Sequence, residues 1–114
     1  MPPLTDPVIL AAFRSALSNW NFTDYVTEKD AVMAWRDREL RGISLKAVAQ
    51  CMYDHLQVGG TIDQTPETRP EWNDRPFHYD FRLMIANRRV YIETILVDDD
   101  PTDPYVHIVS MHDA

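Results

Sequence analysis

The chain has 114 residues, of which 45% are apolar and 11% aromatic, so it can bury one core and is too hydrophobic for a disordered segment. The single cysteine, Cys51, excludes an internal disulfide framework and a multi-cysteine zinc site. The net charge is −7, and residues 61–114 carry most of it, with five arginines against eleven acidic residues. Nucleic-acid binding needs clustered cations, so a protein partner with a basic surface is favoured over nucleic acid.

The sequence predicts one domain over residues 1–114. The first residues show no signal-peptide pattern, and no apolar run approaches the roughly 20 residues that cross a bilayer. We therefore expect a cytoplasmic protein without a membrane partner. The oligomeric state stays open.

Three helices are predicted within residues 5–59, and their ends follow from capping residues and glycines. The signals are Asp6 before Pro7, the acidic capping pattern at residues 27–30, Gly42, Ser44, and the pair Gly59-Gly60. The apolar stripe of the first helix, at the helical period, is Ile9, Leu10, Phe13, Ala16, Leu17 and Trp20. Helices of this length need a sheet or one another to cover their apolar stripes.

The pattern changes to a period of two from His78, which predicts strands. We expect a C-terminal antiparallel β-meander of three to four strands over residues 77–112, after a short strand near residues 61–64 and a proline-punctuated loop at residues 66–76. The last strand is predicted at residues 105–111. The fold class is therefore α+β, with about three N-terminal helices packed on the meander.

A two-residue turn at Asn87-Arg88 is the predicted hairpin connection, because Asn tolerates a positive φ. This turn sets the expected pairing, with Arg82 opposite Glu93. One face of the hairpin is then almost entirely apolar and should pack against the first and third helices. Its expected core residues are Tyr79, Phe81, Leu83, Ile85, Val90, Ile92 and Leu96.

The other face carries the side chains with catalytic potential. These are His78, Arg82, Tyr91 and Glu93, with Asp80 on the same face, joined by His107 from the last strand. His and Glu can act as general acid or base, and Arg can stabilise a phosphorane, which is what a metal-independent ribonuclease requires. The alternative is a solvated face on which Arg82 and Glu93 form a cross-strand ion pair.

An acidic run at residues 98–103 is the predicted contact for a basic partner. Its carboxylates are Asp98, Asp99, Asp100 and Asp103, and Trp72 in the preceding polar loop is the candidate aromatic contact. The run lacks the glycine and distal glutamate of an EF-hand loop. The four histidines share no ligand spacing, and no phosphate-binding or dinucleotide motif is present, so no metal and no cofactor are expected.

The segment Val90-Tyr91-Ile92-Glu93, followed by Val106-His107-Ile108-Val109-Ser110-Met111-His112, resembles the end of small toxins of the RelE/MqsR type. The resemblance covers about the last third of the chain. It implies a helical part followed by an antiparallel sheet, and an mRNA endonuclease with Tyr91 at the aromatic position of the site. Glu93 stands where that family has a basic residue.

Two functions follow from these patterns. The first is a small acidic interaction domain that binds another macromolecule, a protein, without catalysis. The alternative is a metal-independent endoribonuclease of the RelE-like toxin type. A concave pocket on the outer sheet face would favour the enzyme, and a flat face would favour the interaction domain.

Overall fold

A computed structural model describes residues 3–19, 22–24, 29–68, 70, 76–98 and 103–114. The helices are α1 (Pro7–Ser18), α2 (Lys29–Glu39) and α3 (Leu45–Gln57). The strands are β1 (Phe22–Asp24), β2 (Ile62–Pro66), β3 (Phe77–Ile85), β4 (Arg88–Asp98) and β5 (Tyr105–Asp113). The predicted α+β class, with helices followed by an antiparallel sheet, is confirmed. Among the described residues, no helix has the length and apolarity needed to cross a membrane.

Two helices begin where their capping residues predict. The Val8 N–H donates to Asp6 Oδ1 at 2.9 Å, with Pro7 at the first helical position, and the Ala47 N–H donates to Ser44 Oγ at 3.1 Å. Each cap satisfies a backbone donor that has no partner inside its helix. Part of the predicted start of the second helix, at residues 27 and 28, lies outside the described residues.

The sheet has the order β1-β5-β4-β3-β2, and β2 to β5 form the predicted antiparallel meander. The short strand expected near residues 61–64 is β2. The strand β1, which pairs in parallel with β5 from Phe22 opposite Val106, was not predicted. A strand of three residues is too short to show a period of two in the sequence.

The predicted hairpin turn is wrong by one residue. The turn residues are Ala86 and Asn87, with φ of 52° and 64°, and Ile85 pairs with Arg88. Such a turn needs a positive φ at both central positions, and the shorter Ala86 takes that role while Arg88 remains in the ladder. Arg82 therefore lies opposite Tyr91, and the predicted pairing with Glu93 is wrong. Each residue of β3 thus pairs with a residue of β4 two positions earlier than predicted. Because side chains alternate along a strand, a shift of two leaves each side chain on its predicted face.

The core lies between the helices and one face of the sheet. All seven residues predicted for this face are buried in the main apolar cluster, and Phe81 has no exposed surface. The Phe13 ring of α1 meets the rings of Tyr79 and Phe81 edge-on, with centroid distances of 5.2 and 5.7 Å. Edge-to-face contacts of this kind add to the stabilisation from area burial.

The outer face of the sheet, opposite the helices, has two parts. A bulge in β5 places Ser110 opposite Glu93 but Ile108 opposite Thr94. Beyond the bulge, Ile95 and Val109 form a second, separate buried apolar cluster. On the other side of the bulge the outer face is polar, and this polar part contains most of the predicted catalytic residues.

Candidate functional site

Four of the five predicted catalytic residues come together on the polar part of the outer face. His78 and Arg82 project from β3, and Tyr91 and Glu93 project from β4, because alternate residues of a strand share a face. Arg82 lies directly opposite Tyr91. The fifth, His107, lies beyond the bulge opposite Ile95, with its ring edge-on to Tyr105 at 5.5 Å.

Asp80 is the centre of this polar part; the sequence placed it on this face, but not among the five predicted catalytic residues. Only 3% of it is exposed, and its carboxylate accepts a hydrogen bond from Thr65 Oγ1 at 3.0 Å. His78 Nδ1 lies 2.8 Å from its other oxygen. The spacing of His78 and Asp80 by two in a strand was a readable signal that both side chains share a face. A buried carboxylate needs such partners, because an isolated charge away from water is costly.

Tyr91 is a neutral phenol that borders this carboxylate. Burial is the largest cause raising the pKa of Tyr91 above its ordinary value, and the neighbouring Asp80 carboxylate raises it further. Its ring stacks on His112 with centroids 4.6 Å apart, and the Arg82 guanidinium carbon lies 5.1 Å from the same ring centroid. With a raised pKa, Tyr91 acts as a hydrogen-bond donor and is a poor general base.

The charge of Arg82 is directed to a neighbouring strand. Its guanidinium hydrogen-bonds the carboxylate of Asp63 on β2, and Asp63 lies next to Asp80 in the sheet.

Asp80 and Glu93 face each other directly across β3 and β4. Two opposed carboxylates beside one histidine make a site that attracts cations and repels phosphate. The ligand atoms of His78, Asp80 and Glu93 all lie within 4.8 Å of one another, so these three residues could hold a metal ion.

The predicted acidic contact is only partly within the described residues. Asp103 is exposed, and Asp98 pairs through its backbone with Tyr105 at the start of β5. Trp72, Asp99 and Asp100 lie outside the described residues. The proposed contact of this run with a basic partner therefore stays a prediction.

A second feature, missed by the sequence reasoning, is an open edge on β3. The pairing with β2 covers residues 77–81, and no described strand pairs with residues 82–85 on that side. A cleft of about 300 Å³ lies beside this edge, between β3 and the C-terminal half of α3. It is lined by Cys51, Asp54, His55, Val58, Leu83 and Met84. Met84 and Val58 are 56% and 84% exposed, so the rim of the cleft presents apolar surface to solvent.

The groups in this cleft are poor candidates for catalysis. Burial raises the pKa of the Cys51 thiol, so the reactive thiolate is disfavoured. His55 Nε2 lies 2.8 Å from the Thr61 carbonyl oxygen, which fixes the ring at the end of α3. The cleft is therefore better suited to binding than to nucleophilic chemistry.

Comparison with protein-family models, with curated proteins and with solved structures gave no match to this chain. The resemblance to RelE-like toxins stays a prediction that rests on the residues of the last third of the chain.

Proposed function

We propose that this protein is a non-catalytic interaction domain that binds an extended, basic segment of a partner protein along the open edge of β3. The observation that carries the proposal is the stretch at residues 82–85, with which no described strand pairs on the side of β2, next to a cleft with exposed apolar side chains. Adding a strand to an exposed sheet edge is a common way to bind a peptide, since the main chain supplies the hydrogen bonds.

The backbone at this edge is oriented toward an incoming strand. Ile85 and Arg88 close a two-residue turn, so the N–H and C=O groups of Ile85 point to β4. These groups alternate along a strand, and those of Met84 and Arg82 therefore point away from β4. Unpaired edges of this kind favour association with another strand.

The side chains beside the edge define the chemistry of the partner. Met84 and Val58 offer apolar contacts, and the acidic Asp54 lines the same cleft. The chain as a whole carries a charge of −7, so a basic segment is attracted at long range and an acidic one is repelled. An extended segment with alternating apolar and basic residues fits both features.

Fluorescence anisotropy with two labelled peptides tests this function. One peptide alternates valine with lysine, and the other has glutamate in place of each lysine. The lysine peptide should bind and should weaken as the salt concentration rises. Met84→Pro removes the outward N–H without removing a ladder bond and should weaken binding about tenfold or more. Met84→Ile keeps the N–H and an apolar side chain, and serves as the matched control.

Equal binding of the two peptides, or unchanged binding by the Met84→Pro variant, would contradict this proposal. The ribonuclease alternative makes a separate prediction, which is cleavage of RNA in EDTA that is lost on changing His78 or Arg82 to Ala. Cleavage of that kind, in total RNA or in a translating extract, would replace the interaction domain by the enzyme.

A further inference from the structure

The polar part of the outer face contains three metal-ligating side chains that no strong sequence motif announces. His78 and Asp80 are two residues apart on β3, and Glu93 lies directly opposite Asp80 on β4. The ladder of backbone hydrogen bonds thus fixes the three Cα positions relative to one another. This site uses the part of β3 that pairs with β2, at residues 78–80, whereas the proposed peptide binding uses residues 82–85, so the two can be tested separately.

The distances are close to those of a metal site. One ligand atom from each residue lies within 4.8 Å of the other two. Ligands bound at about 2.1 Å around one ion are separated by roughly 3.0–3.5 Å, so small side-chain rotations would complete the geometry. Rotations of this size are within the freedom of Glu93 and His78, both of which are partly exposed.

The charges also favour a counter-ion. Asp80 is buried, and Glu93 faces it as a second carboxylate across the strand pair. Two carboxylates this close to one another disfavour each other's charged form, and a cation between them relieves the repulsion. The neighbouring Arg82 guanidinium is hydrogen-bonded to Asp63. A divalent cation would neutralise both carboxylates at once.

The surroundings of Asp80 resemble the supporting shell of a metal ligand. Thr65 Oγ1 donates to Asp80 Oδ2, which orients the carboxylate and leaves Oδ1 facing His78. Hydrogen bonds of this type orient metal ligands. Oδ1 and the His78 ring nitrogen now share one hydrogen bond, and an ion between them would take the place of the proton.

The structure thus assigns a divalent-cation site to His78, Asp80 and Glu93, and the ion it fits is a first-row transition metal such as Mn²⁺ or Zn²⁺. One imidazole nitrogen with two carboxylate oxygens suits these ions better than Mg²⁺ or Ca²⁺, which prefer oxygen ligands alone. Three protein ligands leave further coordination positions for water or an exogenous group.

Titration of the EDTA-treated, desalted protein with Mn²⁺, followed by the electron paramagnetic resonance signal of the free ion, tests the site. We expect one equivalent to bind, Zn²⁺ to displace it, and Mg²⁺ to compete poorly. Glu93→Gln and His78→Gln should each weaken binding by about 10–100-fold, by analogy with the loss of other groups that support metal sites. Asp37→Asn, which removes an exposed carboxylate of α2 on the helix side of the sheet, should leave the affinity unchanged.

Thermal unfolding gives a second readout, because an ion that binds only the folded state raises the melting temperature. At a fixed Mn²⁺ concentration, the rise should be similar for the natural protein and for Asp37→Asn, and clearly smaller for Glu93→Gln, whose fold is checked by circular dichroism. Absence of binding, binding that survives both ligand substitutions, or equal loss in Asp37→Asn would overturn the assignment.

Discussion

The two faces of the β3–β4 hairpin belong to the same strands, but different interactions dominate on each face. On the helix side, Phe81 and Ile92 are opposite each other and fully buried. On the outer side, Asp80 and Glu93 are opposite each other, and hydrogen bonds with Thr65 and His78 hold the Asp80 carboxylate. Burial of apolar area makes the first face the source of stability, whereas the second retains groups that are costly to hold together. The second face therefore suits the binding of a cation.

The largest effect should come from the helix side. Phe81→Ala removes a fully buried ring that meets Phe13 edge-on, and we expect a loss of about 3–5 kcal/mol in the free energy of unfolding. Met84→Ala in the same strand, on the outer face, should change it by about 0.5 kcal/mol or less. Urea denaturation measures both, and similar values for the two variants would remove the distinction between the faces.

A smaller effect on stability is expected from changing Arg88, the first residue of β4. Its guanidinium binds both oxygens of Asp113 at 2.6 and 2.7 Å and also reaches Glu39 Oε1 of α2 at 2.7 Å. Hydrogen bonds from Arg88 are the largest cause lowering the pKa of Asp113 and of Glu39. A carboxyl group whose pKa is lowered by folding stabilises the folded state at pH values above its ordinary pKa of about 4. This contribution is lost as the pH falls through the folded-state pKa.

Arg88→Gln should therefore be less stable than the natural protein at pH 7, and the difference should shrink toward pH 3. Arg89→Gln, an exposed neighbour on the outer face, is the control. Urea midpoints at the two pH values measure the effect. A difference that is the same at both pH values would show that Arg88 stabilises the fold through contacts that do not titrate, such as its contact with the Trp35 ring, and not through its ion pairs.

The smallest effect on stability is expected from the charged side chains of the outer face. A double-mutant cycle on Arg82 and Asp63, whose side chains are 49% and 23% exposed, should give a coupling of about 1 kcal/mol or less. The same cycle on Arg82 and Glu93, which are not opposite each other, should give a smaller coupling still. A larger coupling for Arg82 with Glu93 than for Arg82 with Asp63 would contradict the register of the hairpin.

Sequence reasoning predicted what depends on local chemistry and periodicity. Asp6 and Ser44 cap their helices, and the alternation in β3 and β4 identified every core residue predicted for the hairpin. The turn was placed one residue late because Asn87 is the residue that best tolerates a positive φ, while its partner, Ala86, has no such signal.

The candidate sites were harder to predict because they depend on strand pairing. Asp63 reaches Arg82 only because β2 lies beside β3, and the open edge exists only because β2 ends where it does. The grouping of Asp80 with Glu93 likewise depends on the register of the hairpin. No sequence spacing encodes these relations, so the metal-ligating trio could not be found by searching for histidine motifs.

The position of β5 in the sheet has a consequence for the order of folding. It is the last strand in the chain, yet it lies between β1 and β4, and Phe22 pairs with Val106. Closing so long a loop is entropically costly, and contacts of this kind slow folding. During synthesis, β1 must remain without its sheet partner until β5 has been made and has paired with β4. We therefore expect the chain to complete its sheet late. The β2–β3–β4 meander should form first, and β5 and then β1 should pair with it afterwards.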